Sequence, residues 1–386
     1  MRTIAIDIRL IGQNRTGDES VFRNLFREVL AIDRDNRYLL LTDRDDEKTF
    51  HVIIEALGMN GRLPDNAEVV TLHSGSRYTW NFVYLPIFFL RRKVDIFHTQ
   101  YILPAFIPRR TKVVTHIHDV SFCAFPDFIG KSDRIFLSTF IPRTMRKSDL
   151  IIAPSDFTKA EIVRRYGKSA EQIAVVPNAV DPSFLTDPTI VDMERAALRN
   201  GLPESFVLSV GTMQPRKNIP LLVKAFAEIR KDFPDLSLVL IGSKGGRHYD
   251  TGIDEMIRET GIVDAVVFPG YVPQEDMPAV YGLSKMLVFP SLYEGFGIPL
   301  LEGFAAGAPV AASDIPPFRE VGGEAVLYFD PTNVASCVES LYTLLTDANT
   351  RERCGRSGKE RLVRYSWAES ARALISCYES ITSLKS

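Results

Sequence analysis

The sequence predicts an α/β protein built as two doubly wound parallel sheets, and three observations carry that reading. At 386 residues the chain exceeds the usual size of a single hydrophobic core. Short apolar runs alternate with amphipathic segments along its whole length, the pattern of parallel strands covered on both faces by helices. That rhythm stops once, across residues 181–204, where "DPSFLTDPTIVDMERAALRNGLPE" has three prolines, one short helical pattern and no strand, and then it restarts.

Taken in order, the strands of the first half are "TIAIDIRL", "RYLLLTD", "AEVVTL", "DIFHTQ", "KVVTHIHD", "DLIIAPS" and "IAVVPNAV", with helical patterns such as "ESVFRNLFREVLAID" and "FTKAEIVRRYG" between them. The second half supplies "FVLSVG", "LSLVLIG", "AVVFPG", "KMLVFPS", "PVAASD" and "AVLYFD". We therefore place the first domain at 1–190 and the second at 191–365. The last segment, "YSWAESARALISCYESITSLKS", has helical spacing at Trp367, Ala371, Leu374 and Tyr378, with Ser366 positioned to cap it. Either domain could receive that helix.

Composition narrows the class. Hydrophobic residues make up 45% and charged residues 24%, as in soluble globular proteins, and the net charge of -2 gives no global case for a nucleic-acid partner. Cys123, Cys337, Cys354 and Cys377 have neither metal-ligand spacing nor a paired framework, which fits a reducing, cytoplasmic setting. "MRTIAIDIRLIG" reads as a strand rather than an export signal. The most apolar stretch, "WNFVYLPIFFL", is about half the roughly 20 residues a spanning helix needs.

Ligands of open α/β sheets bind beyond the carboxyl ends of the strands, so the chemistry is sought in strand-to-helix loops, and two facing domains would form one cleft. In "SLYEGFGIPLLEGFAAG", Gly295 and Gly297 leave backbone N–H groups open, and Pro299 suits the first position of a helix. The helix start favours an anion or a sugar oxygen. Glu302, expected in the first turn, can accept two hydrogen bonds from a diol such as ribose, and Glu294 can orient sugar hydroxyls. A plainer reading also fits: a first-turn glutamate is favourable for dipole reasons alone.

In "SVGTMQPRKNIPLLVKAF", Gly211 ends a strand and Arg216 and Lys217 stand just ahead of a helix. Two cations there oppose the helix dipole unless something negative lies between them, and a diphosphate would serve. A solvated Arg–Lys pair is the plain alternative. In "HIHDVSFCAFP", His118 and Asp119 close a strand where an imidazole can position an acceptor hydroxyl, and His116 is the weaker candidate. The first turn, "RLIGQNRTGDESVFRNL", offers Gly12 and Gly17 but no complete dinucleotide fingerprint. Asp43 and Asp45 in "LLLTDRDD" have a layout that metal-dependent sugar transferases use, yet the run around them is charged throughout and a solvated loop is simpler. We expect no metal.

The set "EGFGIPLLE", "GTMQPRKN", "IHDVSF", "APSDFTK" and "VPNAVD", in this combination, resembles the retaining glycosyltransferases of family 4, which includes bacterial mannosyltransferases and sucrose-phosphate synthases. The wording is most similar to mannosyltransferases of O-antigen and exopolysaccharide assembly. The resemblance implies the GT-B fold, two Rossmann-like domains facing across a cleft, with helix 366–386 crossing back to the first. It implies a nucleotide-sugar donor held mainly by the second domain, with no cofactor and no metal. Arg216 and Lys217 would neutralise the leaving diphosphate, and Glu302 would hold the ribose. Glu294 and the backbone of Gly295, Phe296, Gly297 and Ile298 would hold the donor sugar and its phosphate. Backbone near Tyr271 and Val272 would meet the base, while His118 would face donor sugar and acceptor. Relatives often have "TGIGRY" where this chain has "TGDESVF", so the contact assigned to Gly17 is in question beside Asp18 and Glu19.

By that resemblance GDP-mannose is the expected donor, with UDP-sugars next, and the acceptor a saccharide or lipid-linked saccharide. Basic and aromatic residues mix in "RYTWNFVYLPIFFLRRK" and "KSDRIFLSTFIPRTMRK", which would suit peripheral contact with an anionic membrane; core helices with basic ends explain the same letters. A nucleotide-sugar epimerase, a phosphorylase or a non-catalytic sugar-nucleotide sensor are the competing functions.

Overall fold

The computed structural model describes residues 1–12, 17–58, 61–126, 130–244 and 248–383. Each run read above as a strand carries one, whereas "WNFVYLPIFFL" is helical. The first sheet has seven, β1 (Thr3–Asp7), β2 (Arg37–Thr42), β3 (Ala67–Thr71), β4 (Ile96–Gln100), β5 (Lys112–His116), β6 (Leu150–Ala153) and β7 (Ile173–Val175). They pair in parallel in the order β3-β2-β1-β4-β5-β6-β7. The second has six, β8 (Phe206–Val210), β9 (Ser237–Ile241), β10 (Val266–Gly270), β11 (Met286–Phe289), β12 (Val310–Ser313) and β13 (Val326–Phe329), ordered β10-β9-β8-β11-β12-β13. In both sheets the order reverses beside the first strand, so loops diverge at β1/β4 and at β8/β11. Those are the switch points where doubly wound sheets take ligands.

Strand periodicity explains the layers of the second unit. Phe206 and Leu208, Val239 and Ile241, and Leu287 and Phe289 point into one core, while Val207, Leu238, Leu240, Met286 and Val288 point into another. The first is closed by residues of helices Met277–Leu283, Ile298–Ala305 and Pro316–Gly322, the second by Ile219–Ile229, Gly252–Glu259 and Val334–Thr346. Helices on both faces make every strand apolar on both sides, which is why these runs look continuous rather than alternating in the sequence.

Two compact units result: residues 1–120, 131–178 and 366–386 form one, and 121–130 and 179–365 form the other. The passage at 178/179 lies ahead of the 190/191 division drawn from the sequence. Its cause is packing, since Val180 and, from the 181–204 segment, Phe184 and Ala196 enter the second unit's core. That segment is ordered rather than a loose linker: helix Ile190–Asn200 opens on a capping box between Thr189 and Asp192 and ends at Gly201, φ 60°. Residues 121–130 belong with the second unit, where the Phe125 ring lies edge-on to Tyr293 at 6.0 Å.

The closing helix, Trp367–Ser383, is part of the first unit and packs on helix Gly17–Ile32. The anticipated face is the buried one: Ala371, Leu374 and Tyr378 have no exposed surface. Ser370 Oγ donates to Pro177 O at 2.6 Å, and the Tyr378 hydroxyl meets His98 Nδ1 at 2.6 Å, which pins the helix by polar contacts as well as apolar ones.

Candidate active site

The β8/β11 switch point gathers three of the expected residues. After β8 a single turn, Pro215–Lys217, presents both cations, and Asn218 adopts φ 55° before helix Ile219–Ile229 begins. After β11 the chain returns through Ser291–Gly297, and Leu292 N donates to Arg216 O at 2.8 Å, stitching the two loops together. Glu294 fills the position between the cations: Lys217 Nζ reaches one carboxylate oxygen at 2.5 Å and Arg216 Nη1 the other at 3.2 Å. The negative partner demanded by two cations ahead of a helix is therefore a side chain of the protein itself.

Ser291 Oγ adds a hydrogen bond to Glu294 at 2.8 Å. Burial pushes this carboxyl up, but Lys217 and Arg216 outweigh burial and hold it at about 2. Arg216 also donates to Tyr293 O at 3.2 Å. Gly211 is favoured by its backbone, with φ 149°, while a Cβ there would make only ordinary contact with Lys217 at 3.7 Å. Its neighbour Gly242 is the sterically demanded one, since a Cβ would come within 2.1 Å of Gly211 O. The two strand ends thus meet backbone to backbone under the lysine.

Glu302 stands differently from the expectation. Helix Ile298–Ala305 starts one residue before Pro299, at Ile298, so Glu302 is its fifth residue and lies beyond the first turn. The dipole reading of this glutamate loses its basis, because that benefit is confined to the first turn. Its carboxylate instead accepts from the buried Tyr281 hydroxyl at 2.7 Å. Burial raises the carboxyl to about 7, against the lowering effect of Tyr281 and with a further push from Asp181.

The remaining donor-side positions divide by what they can offer. Gly297 is the N-cap of that helix with φ 121°, and a Cβ would press on the Phe318 ring at 3.0 Å. Gly295 is buried beside it. The Phe296 side chain is core, edge-on to Tyr365 at 5.5 Å, and Val272 is core too, so only their backbones could serve a ligand. Tyr271 is 78% exposed just past β10.

The first unit holds the other candidates beyond the carboxyl ends of its strands. His118 lies two residues past β5, with Nε2 3.0 Å from Gln100 Oε1 and its ring stacked on His116 at 4.4 Å. His116 is fully buried between His118 and His98, and burial keeps it far below the usual histidine range, so it is a packing element. Gly17 is the exposed first residue of its helix and no atom crowds a Cβ there, so no steric demand for glycine exists. Among the described residues no group of three or more His, Cys, Asp or Glu gathers to hold a metal. Tyr281, Ser291, Gln100 and Gly242 were absent from the sequence reading. Ser291 is three residues before Glu294 and was within reach of it, whereas Tyr281 and Gln100 act across elements and leave no local pattern.

With this geometry in place, comparison with known proteins defines the class. The family described as "Glycosyl transferases group 1" matches residues 192–361, and "Glycosyltransferase Family 4" matches residues 17–184. O-antigen chain mannosyltransferase B of Escherichia coli is 29% identical over 280 residues, 71% of this chain and 72% of that protein. Serotype-specific mannosyltransferase WbdA of Escherichia coli is 27% identical over 235 residues; the match takes in 59% of this chain but 28% of that longer protein. Sucrose-phosphate synthase from Thermosynechococcus elongatus superposes with a TM-score of 0.78 at 20% identity, covering 99% of this chain and 100% of that one, a likeness of fold. The molecule is a glycosyltransferase of the GT-B fold. The chain belongs to glycosyltransferase family 4.

Proposed function

We propose that this protein is a retaining, metal-independent hexosyltransferase that moves mannose from GDP-mannose to a saccharide or lipid-linked saccharide in surface polysaccharide synthesis. The observation that carries the proposal is the joint placement of Arg216, Lys217 and Glu294 where the loops after β8 and β11 are tied together. Relationship to O-antigen mannosyltransferases supports mannose as the sugar.

The cations do two jobs in this reading. Without donor they are neutralised by Glu294; with donor the diphosphate takes them over, and the Glu294 carboxylate is released toward the sugar hydroxyls. Arg216 can fork onto two oxygens and Lys217 acts as a point charge, so negative charge developing on the leaving diphosphate meets fixed positive charge as the sugar becomes oxocarbenium-like. Glu302, once ionised, accepts from the ribose diol, and the loop at Tyr271 and Val272 meets the base through its backbone. Transfer breaks the bond from anomeric carbon to diphosphate oxygen and forms one to the acceptor oxygen, the acceptor proton passing to the diphosphate. His118 positions that acceptor hydroxyl.

A panel of nucleotide sugars read by thermal shift, followed by NMR of the product anomer with and without EDTA, tests the proposal. GDP-mannose should stabilise most, and the product should keep the α configuration whether or not EDTA is present. Preference for a UDP-sugar would overturn the donor, and an inverted product would overturn the mechanism.

Peripheral contact with the cytoplasmic membrane face is part of the proposal. Val83, Ile87 and Leu90 point outward at helical spacing, Leu90 being 69% exposed, and Arg91, Arg92 and Lys93 follow directly. An outward apolar stripe joined to a basic run suits an anionic surface. Among the described residues no helix is long and apolar enough to cross a membrane. Co-sedimentation with vesicles containing phosphatidylglycerol should fall in an Ile87→Glu, Leu90→Glu variant, and unchanged sedimentation would refute the contact.

A further inference from the structure

The departure at Asp18 and Glu19 acquires a use once the side chains are placed. The helix Gly17–Ile32 begins at the β1/β4 switch point, where a bare helix N-terminus would attract an anion. Here two carboxylates occupy its first turn. They are not equivalent. Glu19 Oε1 accepts from Gly12 N at 2.7 Å and so closes the preceding turn. Asp18 turns toward His118, its Oδ1 3.9 Å from the imidazole Nδ1, with 42% of its side chain exposed.

His118 is the independent witness that something belongs there. Its side chain is 8% exposed. With Nε2 donating to Gln100 Oε1, the tautomer we assign from that 3.0 Å contact, Nδ1 is a lone pair with no hydrogen bond among the described residues. The ring cannot turn away to find another partner, because His116 stacks on it at 4.4 Å and Phe22 and Tyr101 flank it at 5.9 and 5.8 Å. In that tautomer two acceptors stand 3.9 Å apart at the ligand end of the sheet. They are matched by two adjacent hydroxyls, each donating to one of them.

We propose that Asp18, paired with His118, reads a vicinal diol on the acceptor and rejects acceptors carrying a phosphate at that position. The inference rests on the glycosyltransfer reading above, and it deepens that reading by naming the acceptor's chemistry. A phosphate would face the Asp18 carboxylate and the Nδ1 lone pair together, with no donor from either, so discrimination comes from repulsion as well as from lost hydrogen bonds. Opposing charge comes from Arg44, whose Nη1 donates to Gly12 O at 3.2 Å.

The test uses the full chain with GDP-mannose or UDP-glucose as donor and, as acceptors, neutral octyl glycosides against their 3-phosphates and 4-phosphates. Wild type should use a neutral glycoside with a kcat/KM roughly tenfold or more above that of the phosphorylated form. Asp18→Asn, and Asp18→Ser as a second variant, should bring that ratio close to unity, with the KM for the neutral acceptor raised and the Kd for donor by thermal shift moved less than about twofold. A ratio that both variants leave unchanged, a wild type that prefers the phosphorylated acceptor as Arg44 would favour, or donor hydrolysis with no neutral glycoside used would each overturn the inference while leaving the donor reading intact. A wild type that binds neither donor would sink both.

Discussion

Replacing Glu302 by glutamine should stabilise the ligand-free protein and weaken its hold on donor, and the gain should depend on pH in a defined direction. Burial lifts this carboxyl from 4.5 to about 7 in the fold. Between those values the folded state holds a proton that the unfolded chain has released, so stability falls as pH rises through the window and the full penalty is present above it. A difference of this size corresponds to an order-of-magnitude penalty of about 3 kcal/mol at pH 8, vanishing below about pH 4.5. Glutamine keeps an acceptor for the Tyr281 hydroxyl, which now donates to Glu302 at 2.7 Å, without the charge. Differential scanning fluorimetry of Glu302→Gln against wild type should show a Tm gain on the order of 5 °C at pH 8 and almost none at pH 4.5. Donor affinity at pH 8 should drop by about tenfold or more, since a charge-assisted pair of hydrogen bonds to a diol is lost. A gain that is the same at both pH values, or a loss of stability at pH 8, would refute the view that a buried, ionisable acceptor is kept here at the expense of the fold.

Two further outcomes follow from the same structure. Lys217→Ala should cost about 2 kcal/mol or more in chemical denaturation at pH 7, because Glu294 is left with one cation in a partly buried site, and Glu294→Gln added to it should recover much of that stability but none of the transfer activity. The Glu294 carboxyl is held low, so its contribution is present above pH 4.5 and is lost as pH falls through about 2; the Lys217→Ala defect should accordingly shrink in acid. Tyr378→Phe removes the hydroxyl that meets His98 Nδ1 in a fully buried setting and should destabilise the first unit by about 1–3 kcal/mol, which hydrogen exchange of the Trp367–Ser383 helix would register as earlier opening.

The strands were legible because burial on both faces forces continuous apolar runs, and "LSLVLIG" or "KMLVFPS" admits few other readings. The Arg216–Lys217 problem was also legible, since adjacent cations ahead of a helix require an anion. What the sequence did not reveal was that Glu294, nearly eighty positions on, supplies it: the partner is set by strand order, and β8 and β11 become neighbours only when the sheet forms. Glu302 was assigned to a first turn because Pro299 is a natural helix opener, yet Gly297 at φ 121° lets the helix begin at Ile298. Its Tyr281 partner comes from a different helix and had no signal in spacing. Asp18 was visible only as an oddity, and it became interpretable when the turn after β5 delivered His118 to it.

The last helix has a bearing on how the chain is made. Residues 1–178 cannot complete their apolar interior until Ala371, Leu374 and Tyr378 arrive from the far end of the polypeptide. During synthesis the half that emerges first must therefore be the half that matures last, holding an unsealed groove beside Phe22 and His98 while the later half, contiguous from 179 to 365 apart from residues 121–130, closes ahead of it. Ribosome-stalled chains ending before residue 366 should show a protease-resistant second unit beside a digestible first one.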